Sequence, residues 1–454
     1  MGAVGGRLDD RGSSVSAGLG AVSDVALDEP VRGRLEPAES RPVRWAPRYL
    51  FLQGMATPFL WLVGAELVRR GHVVRHINFN AGDRLYWRLP GAADYRGDIA
   101  GWPGFLETQL DAWGITDIVL FGDCRPIHVA AIRVASLRGI PVHVFEEGYL
   151  RPSWITLEAG GVNGKSSLPR DPAWFLSEAS LLPPWDGGKS FPSLFWLRAA
   201  EDVAYHVTSY GLAWLYPGYR SHLIVHPFRE YAGWLWRFAC APLTRRRNDA
   251  ALRALEASRK PYFVVPLQID TDTQIRFHSV YGGLAPAIGA ILESFARHAP
   301  ADTLLVIKEH PLDPGVVNWR RIAAAKADEL EIGARVIYLA GGSLDRLAAG
   351  SRGLVTVNST SAVTSLALSV PTIALAPAIY DMPGLTFQGG IDRFWSEASA
   401  PDPVLFDAFR RVVAERTQVN GGFFSKEGMA LAVAGAADRL ERTSGLPSDG
   451  TARH

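Results

Sequence analysis

The chain has 454 residues, 48% hydrophobic and 20% charged, with a formal net charge of +1. This composition is globular rather than disordered, and the length exceeds the roughly 250–300 residues that one core sustains. The small net charge argues against a dedicated nucleic-acid binder. Its two cysteines, Cys124 and Cys240, lack any accompanying ligand spacing, which argues against a zinc site or disulfide framework and fits a reducing cytoplasm.

Residues 1–44 are rich in Gly, Ser, Ala and charge and lack the apolar core of a signal peptide, so they read as a flexible lead-in. No run of 18 apolar residues predicts a bilayer-spanning helix. Folding signals begin at Tyr49–Leu52, a short apolar strand ended by Gly54. Thr57 followed by Pro58 predicts a helix N-cap and first helical position. Phe59, Leu62, Val63 and Leu67 give that helix one apolar face, and Gly71 closes it. HVVRHINF (72–79) is the next strand, which makes a β-α-β unit and a parallel sheet. The alternation repeats as strand TDIVLFGD, helix HVAAIRVASLRG and strand PVHVFEE, so 45–180 reads as one Rossmann-like domain.

From 181 to 255 the pattern becomes helical and rich in aromatics and Arg. Trp214, Trp234 and Trp236 lie among Arg220, Arg229, Arg237 and Arg245–Arg247, a mixture suited to a membrane interface. A second Rossmann-like domain spans 256–400, with strands at 261–268, 303–310, 335–340, 353–359 and 371–376 and helices at 284–298 and 343–349. Helices and a tail fill 401–454. The layout is α/β and GT-B-like, with two Rossmann-like domains facing a cleft. In parallel sheets ligands lie beyond the carboxyl ends of the strands.

Those strand ends carry polar clusters: Asn78, Asn80 and Asp83; Asp123, Arg125 and His128; Glu146, Glu147 and Arg151, followed by Asn163, Lys165, Ser166 and Ser167; Lys308, Glu309, His310 and Pro311; and Asn358, Ser359, Thr360 and Ser361. Ser359–Ser361 can cap the helix that follows, or can hold an anion on its N-terminus beside Lys308 and His310. Asp270 and Asp272 spell D-x-D, which suits either a turn or a divalent cation. Gln268, Gln274 and His278 are candidates to line the cleft. His128 suits proton transfer, or the cluster around it is an ion pair and a helix cap. The chain lacks G-x-S-x-G, a P-loop, and a G-x-G-x-x-G after the first strand, which argues against serine hydrolases, P-loop kinases and ordinary dehydrogenases.

Through FLQG, INFNAGD, GDCRPIH, EEGYLRPSWITLE, GVNGKSSLPRDP, PLQIDTDTQIRFHS, KEHP and NSTSA, in that order, the chain resembles the capsule polysaccharide biosynthesis and export proteins of the KpsS (LipB) type. The resemblance implies a β-Kdo transferase that uses CMP-Kdo as donor substrate and a (lyso)phosphatidylglycerol-type acceptor. It implies no cofactor, no essential metal and no nucleic acid. The expected location is cytoplasmic, peripheral on the inner face of the inner membrane, alongside other capsule assembly and export proteins. By the same resemblance Lys308, His310, Pro311, Ser359, Thr360 and Ser361 are the CMP-binding candidates. Glu147 is the candidate nucleophile, standing where relatives commonly have Asp, and Glu146 orients or tunes it. Asp123 or His128 assists the acceptor hydroxyl. Arg125 and Arg151 suit the Kdo carboxylate, with Asn163, Lys165 and Gln268 completing the substrate contacts. A β-linked donor and a β-product together mean retention, open to a covalent glycosyl-enzyme. Two other readings stay open: an export adaptor that binds Kdo-capped glycolipid, and a GT-B enzyme for another CMP- or UDP-sugar.

Overall fold

The structure is a computed structural model that describes residues 46–270, 275 and 279–444. Asp272, Gln274, His278 and the 1–44 segment lie outside the described residues. The first half runs β1 (Arg48–Phe51), α1 (Phe59–Arg69), β2 (Val73–Asn78), α2 (Ala81–Tyr86), β3 (Ala92–Asp94), α3 (Trp102–Trp113), β4 (Asp117–Phe121), α4 (Pro126–Leu137), β5 (Val142–Glu147) and β6 (Trp154–Ala159). Three helices follow, α5 (Pro172–Ala179), α6 (Phe195–Gly211) and α7 (Pro227–Ser258). The second half runs β7 (Tyr262–Pro266), α8 (Leu284–His298), β8 (Leu304–Lys308), α9 (Trp319–Glu329), β9 (Val336–Leu339), α10 (Leu344–Ala349), β10 (Gly353–Thr356), α11 (Ser361–Ala367), β11 (Thr372–Ala374) and α12 (Ile391–Glu397). The chain returns through α13 (Pro403–Thr417), β12 (Gln418–Asn420) and α14 (Lys426–Thr443).

Among the described residues the first sheet has the order β12-β6-β5-β4-β1-β2-β3, and the second β11-β10-β7-β8-β9. The second sheet is parallel throughout. The first is parallel from β3 to β5, and β6 and β12 extend it in antiparallel pairing. β4, at the centre of the first sheet, and β8, an inner strand of the second, are buried along their whole length, which explains their unbroken apolar runs. The result is two Rossmann-like halves facing a cleft, a GT-B-like arrangement.

Local chemistry sets the ends of the elements. α1 begins one residue later than the Thr57–Pro58 signal predicts, and the Thr57 hydroxyl still accepts from the Phe59 N–H at 3.2 Å. Its buried face is Phe59, Leu60, Val63, Gly64 and Leu67, with Leu62 only half-buried. Asn80 and Asp83 cap α2 reciprocally. The Asp83 N–H donates to Asn80 Oδ1 and the Phe79 N–H to Asp83 Oδ2, both at 2.9 Å. The first strand-end cluster is therefore engaged in holding a helix.

The first core is closed by the far end of the chain. Phe59, Val63 and Leu67 of α1 pack with Val419, Ala432, Ala436 and Leu440. A further apolar cluster joins Tyr149, Leu150 and Phe175 to Ala362, Val363, Ile379 and Tyr380 of the second half, through Phe406 and Phe409 of α13. That cluster holds the end of β5 against the start of α11.

Candidate active site

β5 delivers Glu146 and Glu147 to the edge of the cleft, and the chain reverses at Gly148 into β6. A Cβ at Gly148 would lie 2.0 Å from the Trp154 carbonyl oxygen, so glycine is required for so close an approach. Arg151 Nη2 lies 2.7 Å from Glu147 Oε2, and Arg198 of α6 donates to Oε1 at 3.1 Å. Burial alone raises the pKa of Glu147, but the two guanidiniums outweigh it and hold the carboxyl at about 2. Glu147 is therefore a carboxylate at neutral pH. Its own N–H donates to Glu146 Oε1 at 3.1 Å.

A cavity of about 240 Å³ brings Glu146, Glu147, Arg151 and Arg198 opposite His310, Ser359 and Thr360 of the second half. It adjoins a larger one of about 540 Å³ lined by all six nucleotide candidates, Lys308, His310, Pro311, Ser359, Thr360 and Ser361. His310 is held neutral, its pKa lowered to about 4 by burial and then by Arg151 and Lys308. Its Nδ1 accepts from the Leu312 N–H at 3.1 Å, so the ring proton sits on Nε2 and is available to donate. Lys308 is 6% exposed, and burial lowers its pKa. The larger cavity also has an aromatic wall, Trp154 stacked with Trp185 at 5.5 Å, with the Arg410 guanidinium over Trp185 at 5.7 Å. Pieces from both halves thus form one two-lobed site with anion-accepting groups in one lobe and an ionised carboxylate in the other.

Several residues sit elsewhere than the sequence predicts. His128 is fully buried, with Nδ1 2.7 Å from the Gly122 carbonyl oxygen, and burial together with Arg125 holds it neutral. It cannot touch an acceptor hydroxyl there; its contacts hold the β4–α4 turn. Asp123 is 2% exposed and faces the Cys124 thiol and Lys165 Nζ, at 3.0 and 3.6 Å. Lys165 is thereby drawn to Asp123, and neither residue lines the two-lobed site. Arg125 does not converge with Arg151: its Nη1 donates to the Gly54 carbonyl at 2.8 Å and to Gln53 Oε1 at 3.1 Å, in a different cavity. Asn163 and Gln268 line the smaller lobe, but their amides are engaged in the wall. Gln268 pairs with Asn358 at 3.1 and 3.2 Å, and Asn163 Oδ1 accepts from the Ile379 N–H across the halves at 3.2 Å. Asp270 Oδ1 accepts from the Leu284 N–H at 2.9 Å, a turn contact at the start of α8.

Arg198 and Glu158 were not among the sequence candidates. Arg198 meets Glu147 from 51 residues away, and no local pattern marks it. Glu158 lies beneath the hairpin, taking hydrogen bonds from the Tyr149 hydroxyl at 2.6 Å and from Ser166, and burial pushes its carboxyl up to about 7. Alternation in WITLEA puts Glu158 opposite the apolar Ile155 and Leu157 and so reads as a solvent-facing position, whereas both faces of β6 are buried.

Residues 116–424 match the family described as capsule polysaccharide biosynthesis protein. The chain is 34% identical to the capsule polysaccharide export protein KpsS of Escherichia coli over 380 residues, 83% of this chain and 97% of that one. It is 33% identical to the capsule polysaccharide modification protein LipB of Neisseria meningitidis over 392 residues, 84% of this chain and 92% of that one. Among solved structures, KpsC of Thermosulfurimonas dismutans, a β-Kdo 2,7 transferase, aligns over 86% of this chain and 99% of its own, with 13% identity and a TM-score of 0.43. The extent of the sequence match places this chain in the capsule polysaccharide biosynthesis family, with the KpsS and LipB proteins.

Proposed function

We propose that the chain is a retaining glycosyltransferase that moves β-Kdo from CMP-Kdo to a (lyso)phosphatidylglycerol-type acceptor, starting the glycolipid on which a capsule chain is built. One observation carries the reading: an ionised Glu147, clamped by Arg151 and Arg198, faces His310, Ser359 and Thr360 in a single cavity.

CMP would occupy the larger lobe, its phosphate taking hydrogen bonds from His310 Nε2–H and the hydroxyls of Ser359–Ser361, with Lys308 adding positive charge. These groups offset the charge that develops as CMP leaves. The Kdo carboxylate would draw Arg151 into a bidentate pair and release Glu147 Oε2. Glu147 then attacks the anomeric carbon; its C–O bond forms as the bond to the CMP phosphate breaks, and CMP departs with the electron pair. The acceptor hydroxyl next attacks the same carbon and the bond to Glu147 breaks. Glu146, the adjacent carboxylate, would take the hydroxyl proton. Two inversions give net retention.

The exposed aromatics of the helical insertion support work at a membrane surface. Trp196, Trp214, Leu235 and Trp236 are each at least 70% exposed, and Arg245–Arg247 stand beside them in α7. Trp234, by contrast, packs against Phe195 at 5.2 Å, and Arg237 pairs with Glu309 at 3.0 Å, so neither is free for lipid. No described helix is long and apolar enough to cross a membrane. As part of the proposal, the enzyme works peripherally on the cytoplasmic face of the inner membrane, beside other capsule assembly and export proteins.

The test is mass spectrometry of lysophosphatidylglycerol incubated with purified protein and CMP-Kdo, CMP-sialic acid or a UDP-sugar in parallel. A lipid product one Kdo heavier, with CMP-Kdo alone, is expected. Transfer from another donor, or folded protein that binds CMP yet gives no product, would overturn the assignment.

A further inference from the structure

A second cavity, of about 440 Å³, lies on the first half, between α6 and the loop that follows it. Arg198, the clamp on Glu147, also lines this cavity, so the two sites share one wall. Arg125 lines it half-buried, and among the described residues its Nη1 donates only to the Gly54 and Gln53 carbonyls and the Gln53 amide oxygen. Among the described residues no carboxylate lies within ion-pair distance of Arg125 or of Arg220, another lining residue. Arg220 is exposed and donates to the Tyr219 carbonyl at 3.5 Å. Of the nearby acids, Asp202 is engaged by His206 at 3.4 Å and by the Tyr231 hydroxyl at 2.9 Å. Asp83 is engaged by Gln53 and, at 2.7 Å, by Tyr205. His222 stays neutral, its pKa brought to about 3 by burial and then by Arg125 and His206.

Arg125 is bonded to neutral oxygens and meets the Asp83 carboxylate only at longer range, across Gln53, so its guanidinium has no direct ionic partner among the described residues, whereas buried charge in proteins is ordinarily paired. Arg125 and the exposed Arg220 thus place two guanidiniums in one wall, and guanidiniums suit the oxygens of a phosphate. The wall also carries apolar and aromatic groups, among them Met55, Tyr210, Leu223 and Phe424, which suit a glyceryl or acyl stem, beside polar ones such as Asn80 and Asp202. α6 itself ties the cavity to the surface. Arg198, Asp202, Tyr205 and Ser209 face inward at helical spacing, while Trp196, Val203 and Val207 are exposed. One helix thus presents an anion-seeking cavity on one side and apolar side chains to solvent on the other.

We propose that this cavity is the acceptor subsite, and that it takes an anionic phosphodiester headgroup presented by a lipid surface docked on the exposed aromatics of α6 and α7. This rests on the transferase reading and adds where, and by which residues, the acceptor is held. Arg198 lines both cavities and pairs with Glu147, so a headgroup hydroxyl at the Arg198 end of this cavity adjoins the carboxylate.

The test uses the full chain without donor, in two arms. Soluble glycerophosphoglycerol is titrated by calorimetry, and vesicles of phosphatidylglycerol with phosphatidylcholine are compared with phosphatidylcholine alone by co-sedimentation. Arg220→Gln and Arg125→Gln are each expected to weaken both headgroup and anionic-vesicle binding by about ten-fold, with CMP binding unchanged. Trp236→Ser is expected to weaken vesicle binding while leaving soluble headgroup binding intact. Headgroup binding that stays within about two-fold of the parent in both arginine variants would overturn the subsite. Headgroup binding without any vesicle preference would overturn the lipid source. Since neither arm contains CMP-Kdo, failure of the transferase reading shows up separately, in the donor panel.

Discussion

Glu147 has two arginine partners, and its replacement separates chemistry from binding. Glu147→Gln keeps the shape and removes the charge. Transfer should fall by at least about a thousand-fold, with CMP affinity within about three-fold of the parent, read by turnover and calorimetry. An unaltered rate would remove Glu147 from the mechanism. Arg198→Met tests the clamp through pH. With both guanidiniums present the carboxyl sits at about 2, so Glu147 adds no acid limb to the rate profile in the range where the protein is folded. Without Arg198, burial is opposed chiefly by Arg151 and the pKa rises. The variant should therefore lose activity on acidification at higher pH than the parent does. The same linkage acts on stability. The lowered pKa stabilises the fold above about 4.5, and that contribution disappears as pH falls toward 2. That Glu147 and His310 line the cleft was legible because Glu147 ends β5 and His310 follows the end of β8, and strand ends in parallel sheets meet ligands. Arg198 was not, because its partner choice depends on how α6 lies on the first sheet. His128 and Asp123 misled for a related reason: polar residues after a strand can serve the turn itself, and only burial distinguishes the two uses.

The β5–β6 hairpin carries two predictions at the scale of an element. Gly148→Ala places a methyl where the Trp154 carbonyl oxygen already lies, so the hairpin must open. A loss of about 2–4 kcal/mol in denaturant unfolding is expected. Glu158, behind the hairpin, titrates near 7 in the folded protein against an ordinary value of 4.5. The folded state then holds a proton that the unfolded chain has released, so stability falls as pH rises from about 4.5 to 7 and levels off above. Glu158→Gln should flatten that slope in unfolding midpoints measured across the window; an unchanged slope would place its origin in other groups. The strands β1, β2, β4 and β5 were legible as apolar runs between glycine and helix signals. β3 and β12, each three residues long, carry too little pattern to be read. β6 follows the Glu-Glu-Gly turn so closely that its sequence reads as part of the catalytic loop.

At the scale of the whole molecule, the order of the chain and the order of packing differ. The sequence reads as first half, insertion, second half and terminal helices, yet β12 and α14 belong to the first sheet and its core. No periodicity in 401–444 reveals this, because an amphipathic helix shows that it has an apolar face and not which core the face fills. The consequence is that the first half lacks an edge strand and a covering helix until the second half has been traversed. α14 is fastened by Arg70, whose Nη1 lies 2.6 Å from Asp438 and 2.8 Å from Glu441, and by the fully buried Leu440. The ion pairs are partly solvated and contribute little each, so the apolar contact decides. Leu440→Ala should cost about 2–5 kcal/mol in reversible unfolding, whereas Arg70→Met should cost at most about 1 kcal/mol. A chain ended at Phe424 removes Ala432, Ala436 and Leu440 together and leaves Phe59, Val63 and Leu67 facing water. It should lose cooperative unfolding of the first half and, with it, the placement of Glu147, even though every residue of the two-lobed site is retained. Cooperative unfolding and retained transfer in that truncated chain would show that the first half closes without its distant helix.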